Sequence, residues 1–92
     1  MTDSVNAAFA SMASAHITQA NTNAEQHGHE LSGIALTHAA ARYNAFLLSI
    51  ESSSKGKLNA SREEFINQSV AQYREFLNHH YDEYARAEAE NA

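Results

Sequence analysis

Leu31-Ser32-Gly33-Ile34-Ala35-Leu36-Thr37-His38-Ala39-Ala40-Ala41-Arg42-Tyr43-Asn44-Ala45-Phe46-Leu47-Leu48-Ser49-Ile50 decides the fold. At helical spacing its apolar residues fall on two seams rather than one. Leu36, Ala40, Tyr43, Leu47 and Ile50 make the first, and Leu31, Ile34, His38, Ala41, Ala45 and Leu48 the second. Phe46 lies outside both. A helix that is apolar on two sides needs cover on two sides, so this segment is expected to be the central element. The alanines at 39, 40, 41 and 45 allow close approach of neighbouring backbones. A membrane span is not expected. Arg42 alone costs about 2.5–3.5 kcal/mol at mid-helix, and Ser32, Gly33, Thr37, His38, Asn44 and Ser49 add polarity.

Outward from this segment, two more helices are predicted. The first runs over about 3–26, with Asp3 or Ser4 as its cap and Val5, Phe9, Met12, Ala13, His16, Ile17, Ala20 and Ala24 on one face. Gly28 stands where a left-handed C-cap needs no Cβ. The central helix covers about 31–52. The third runs over about 61–90 and opens on Ser61-Arg62-Glu63-Glu64, the pattern of a capping box. Its stripe is Phe65, Ile66, Val70, Tyr73, Phe76, Leu77, His80, Tyr81 and Tyr84. The Ser-, Lys- and Gly-containing stretch at 52–60 is expected to be a polar connection. The predicted fold is all-α: a three-helix antiparallel bundle forming a single helical domain over residues 1–92.

Composition limits that bundle. Of the 92 residues 43% are hydrophobic, but 18 are alanines, so large apolar side chains are few. A chain this short buries only about 60–65% of its unfolded surface. A homodimer that covers the outer seam of helix two or the aromatics of helix three is therefore expected. The absence of Pro and the presence of only three Gly disfavour an all-β fold. With no Cys, thiolate metal sites, disulfides and a thiol nucleophile are excluded. A net charge of −5 disfavours nucleic acid as a partner. The acidic start lacks the basic and apolar regions of a signal peptide, which makes the cytoplasm the expected location.

Two segments carry a family resemblance. Ala39-Ala40-Ala41-Arg42-Tyr43-Asn44-Ala45-Phe46 resembles the A-A-x-R-[FY]-N-A-F signature of the short bacterial helical proteins of domain of unknown function 3144. The third helix is similar in register at Glu63-Glu64, Gln72-Tyr73-Arg74, Leu77, Asp82 and Tyr84. The first is similar at Ala8-Phe9, Ala13, Ile17 and Ala20-Asn21. His16 and His38 depart from the pattern, standing where larger apolar side chains are expected. The resemblance spans about residues 8–84. It implies a compact helical domain and brings no catalytic residue with it.

The polar residues offer three candidate constellations. Arg42 and Asn44 are expected to form a structural polar lock, because a guanidinium on a doubly covered helix must be paired. Tyr73, Phe76, Tyr81 and Tyr84 form an aromatic band that suits an interface. Six histidines raise the question of metal. The candidate ligands are His27, His29, His79 and Glu83, with Glu75 on the same helical face as the last two. His79 and His80 point about 100° apart and are not expected to share an ion. Pairs of ligands do not close a zinc tetrahedron, so no metal and no cofactor are expected. No nucleophile motif is present, and no enzyme is expected. The expected function is a small intracellular interaction or regulatory module that acts on an unknown protein partner through a helical surface. Two alternatives remain. One is a metal- or small-ligand-binding protein using its histidines, and the other is a small acidic inhibitor of another protein's basic site.

Overall fold

A computed structural model describes residues 2–51 and 57–91. The described residues are all-α, with no strand. In chain order the elements are α1 (Asp3–His27), α2 (His29–Glu51), the one-turn α3 (Lys57–Ala60) and α4 (Arg62–Asn91). The three long helices are those the sequence predicts, with small changes at their ends. They fall into two units, Met1–Leu48 and Ser49–Ala92, so the division lies within α2.

The start of α1 is capped one residue earlier than expected. Thr2 is extended at φ −75° and ψ 162°, and its side-chain oxygen accepts from the Val5 N–H at 3.3 Å. Thr2, Asp3 and Ser4 can all cap, and the first of them does so. Ser4 instead lies within α1, with its hydroxyl 3.1 Å from that of Thr2.

One residue, Gly28, separates α1 from α2. Its N–H donates to the Ala24 carbonyl at 2.8 Å, and its own carbonyl accepts from the Ser32 N–H at 3.2 Å. It therefore ends one ladder and begins the next. Its φ of 91° with ψ 156° is a conformation essentially confined to glycine. No atom outside its immediate neighbours lies within 4 Å of the place a Cβ would take, so backbone strain alone selects against a side chain. Helix α2 begins at His29, two residues before the expected Leu31, because Gly28 serves both ends.

The connection expected over 52–60 differs at its far end. Residues 52–56 of that stretch, Lys55 among them, lie outside the described residues. Lys57–Ala60 form α3. At the head of α4 the Ser61 carbonyl accepts from the Phe65 N–H at 3.0 Å. The Glu64 carboxylate faces forward and accepts from the Gln68 amide at 3.4 Å, rather than reaching back as the capping box predicts.

In the first unit, burial concentrates at the corner next to Gly28. Ala24 and Ser32 are its buried residues, and Ala20 and Leu36, one turn further along each helix, are half-buried. The Ser32 hydroxyl donates to the Ala20 carbonyl at 2.6 Å and ties α2 to α1. Away from the corner, Val5, Phe9, Met12 and Ile17 of α1 are exposed. The two seams of α2 are largely open: Leu31, Ile34, Tyr43, Phe46 and Ile50 are exposed, while Leu47 and Leu48 are half-buried. In the second unit, α4 has no buried residue. His16, His38 and His80, which lie on the predicted apolar faces, are all exposed. The seams exist as the periodicity predicts. What periodicity does not specify is the surface that covers them.

Candidate functional site

Two features of the structure have functional content: an open apolar surface and a cluster of ligating side chains. On α4, successive residues turn by about 100°. With Tyr73 as origin, Ile66, Val70, Phe76, Leu77, His80, Tyr81 and Tyr84 all fall within a stripe about 140° wide. A stripe of that width normally faces a core. Here Ile66 is 46% exposed, Tyr73 56%, Tyr81 72% and Tyr84 79%. The aromatic band expected from sequence is thus a single face, and Tyr73, Phe76, Tyr81 and Tyr84 all lie open on it.

On α2 the segment 39–46 presents a second apolar surface. The rings of Tyr43 and Phe46 sit 5.9 Å apart at 49°, an arrangement suited to aromatic pairing. Arg42 and Asn44 flank them, and both are exposed. In the unit that holds it, Arg42 meets no hydrogen-bond or ion-pair partner among the described residues. The premise for a lock, a guanidinium held in a covered seam, is therefore absent within this unit.

The ligand candidates regroup. Glu83 lies three residues beyond His80 and four beyond His79, so at 100° per residue its side chain projects between them. One carboxylate oxygen is 3.3 Å from His79 Nε2, and the other is 3.5 Å from His80 Nδ1. The two imidazoles meet edge to face, with centroids 5.0 Å apart. One potential ligand atom from each of the three residues lies within 4.8 Å of the others, and all three residues are exposed. Glu83 projects into the angle of about 100° between His79 and His80, so the three side chains come within reach of one another. Of the predicted ligands, His79 and Glu83 are brought together and His80 joins them. His27 and His29, exposed on either side of Gly28, enter no group of three ligands among the described residues, and neither does Glu75.

Sequence reasoning also missed Ser32, the polar side chain that ties the corner. Its signal was present in the small residues Ala20 and Ala24, one turn apart just before Gly28, which leave room for a backbone-directed hydroxyl.

Exposed apolar side chains on three helices, with no helix long and apolar enough to cross a membrane among the described residues, define a class rather than a chemistry. The chain belongs to the family described as protein of unknown function (DUF3144), whose model matches residues 9–85. No curated protein and no solved structure matches it.

Proposed function

We propose that this protein is a small cytoplasmic interaction module, not an enzyme, that works by covering its open helical faces with a second copy of itself or with another protein. The observation that carries the proposal is the exposure of sixteen large apolar side chains on α1, α2 and α4. Fully burying a side chain of this kind is worth about 1.5–3 kcal/mol, so covering a half-exposed one returns roughly 1 kcal/mol. A two-fold dimer that covers half of them on each protomer would gain on the order of 16 kcal/mol gross. Association costs about 4–15 kcal/mol, and a micromolar dimer needs about 8 kcal/mol net. The remainder, about 1–12 kcal/mol, brackets the micromolar value. Tyr73, Phe76, Tyr81 and Tyr84 are suited to the contact, since aromatic residues are enriched at interfaces. Arg42, exposed beside Tyr43 and Phe46, is better placed to meet a partner's carboxylate than one of its own unit. The net charge of −5 supports a protein partner over nucleic acid.

Light scattering on the full chain tests this proposal. The expected result is a mass near twice 10.1 kDa at micromolar protein, falling toward 10.1 kDa on dilution. A mass of 10.1 kDa that holds from micromolar to millimolar protein would rule out self-association.

A further inference from the structure

The cluster on α4 supports an inference independent of assembly. We propose that His79, His80 and Glu83 form a surface site for one divalent late transition-metal ion per chain, of the kind that imidazole prefers. Two imidazoles and a carboxylate suit zinc, nickel or copper and not magnesium or calcium, which take oxygen ligands. The spacing fits. Zinc bonds of about 2.0–2.1 Å in a tetrahedron put neighbouring ligand atoms about 3.3–3.4 Å apart. The two His–Glu separations are 3.3 and 3.5 Å. One carboxylate oxygen must then serve both edges, and the imidazole nitrogens must close the 4.8 Å spread. Both rings and the carboxylate are exposed, with side-chain exposures of 67%, 64% and 53%, so they can rotate to do so without disturbing any packing.

The helix supplies the preorganisation. All three residues lie within five consecutive positions in the interior of α4, well inside its Asn91 end, so their Cβ positions are fixed before the ion arrives. Three protein ligands leave a fourth tetrahedral position for water. The site lies on one side of the open stripe: His80 falls within it, and Glu83 and His79 lie about 20° and 60° beyond its edge. Without an ion, the same residues form two surface ion pairs whenever the imidazoles are protonated.

The test is a calorimetric titration of zinc chloride into the full chain at neutral pH, repeated with nickel, copper and magnesium chlorides. One zinc per chain is expected, with copper tighter than zinc and magnesium silent. His79→Ala and His80→Ala should each weaken zinc by at least roughly tenfold, as should Glu83→Gln, while the His27→Ala/His29→Ala double variant leaves it unchanged. Circular dichroism checks that each variant keeps its helix content, since all the replacements are on exposed surfaces. Zinc binding that survives His79→Ala and His80→Ala, or that is lost in the His27/His29 variant, would overturn the site. So would the absence of binding, or half an ion per chain, which would mean a site shared between two copies. The titration is carried out on dilute, monomeric protein as well as at the concentration of the assembly. Failure of the metal site and failure of self-association are then separate results.

Discussion

The corner at Gly28 and the stripe on α4 use the same kinds of residue in opposite ways. At the corner, small residues do the joining. Ala24 and Ser32 are buried, and one hydroxyl donates to the Ala20 carbonyl across the two helices. The buried area is slight, but every polar group involved is satisfied. On α4 the residues are large, with Tyr, Phe, Leu, Ile and Val over several turns, yet none is buried. Burial here follows proximity rather than hydrophobicity. A one-residue link forces its flanking turns together whatever their side chains, while a long apolar stripe is covered only when another surface reaches it. The corner is complete within its unit, and the stripe lies exposed.

Four substitutions test that contrast. The largest effect is expected where the stripe is cut. Leu77→Asp places a carboxylate in the middle of it and should weaken association at least a hundredfold, about 2.8 kcal/mol, in sedimentation equilibrium. Its helix content should hardly change, because Leu77 is exposed. If association is unaffected, the stripe is not the assembly surface. Gly28→Ala attacks the corner and should cost about 1–3 kcal/mol in the bent conformation, since a side chain is forced into glycine's region. The hydrogen bonds on both sides of residue 28 are already of helical type. The strain would therefore be relieved by fusing α1 and α2 into one helix, which spin labels on exposed positions of the two helices would report as a longer distance. An unchanged distance with unchanged stability would show that the glycine is not needed there. Arg42→Ala comes next. It should leave thermal stability of the monomer within about 0.5 kcal/mol, as exposed surface changes do. It should weaken association by roughly tenfold, about 1.4 kcal/mol. A large loss of monomer stability would restore the lock that the sequence suggests. Ser32→Ala is the smallest. It removes one hydrogen bond worth about 1 kcal/mol, and the Ala20 carbonyl keeps its place in the ladder of α1. Amide hydrogen exchange should speed up near the corner and stay unchanged in α4.

The sequence made the helices legible and left their environment unread. The 3.6-residue period marked all three long helices, and Gly28 marked the break between the first two because its position past the last periodic residue has a steric meaning. The seams of α2 were also visible, but periodicity locates a face without identifying what covers it. His16, His38, His80 and Arg42, all on or beside predicted apolar faces, are therefore exposed rather than covered. The errors at the ends are local. Thr2, Asp3 and Ser4 compete for one cap, and α3 is a single turn in a stretch whose composition suggests a loop. The grouping of His79, His80 and Glu83 is legible in the spacing, since Glu83, three and four positions beyond the histidines, projects into the angle between them.

The double role of Gly28 also bears on how this chain can change in length. Because the same residue closes one ladder and opens the next, the corner has no slack to absorb an inserted or deleted amino acid. Adding one residue there would turn every side chain of α2 by about 100° about its axis relative to α1. Arg42, Tyr43 and Phe46 would then face a different quarter of the surroundings, and Ser32 would lose sight of Ala20. Tolerance of insertions is thus predicted to be lowest at this short link, although loops are usually where chains accept them. A library of single-residue insertions, scored for association, would map that intolerance as a sharp minimum centred on position 28.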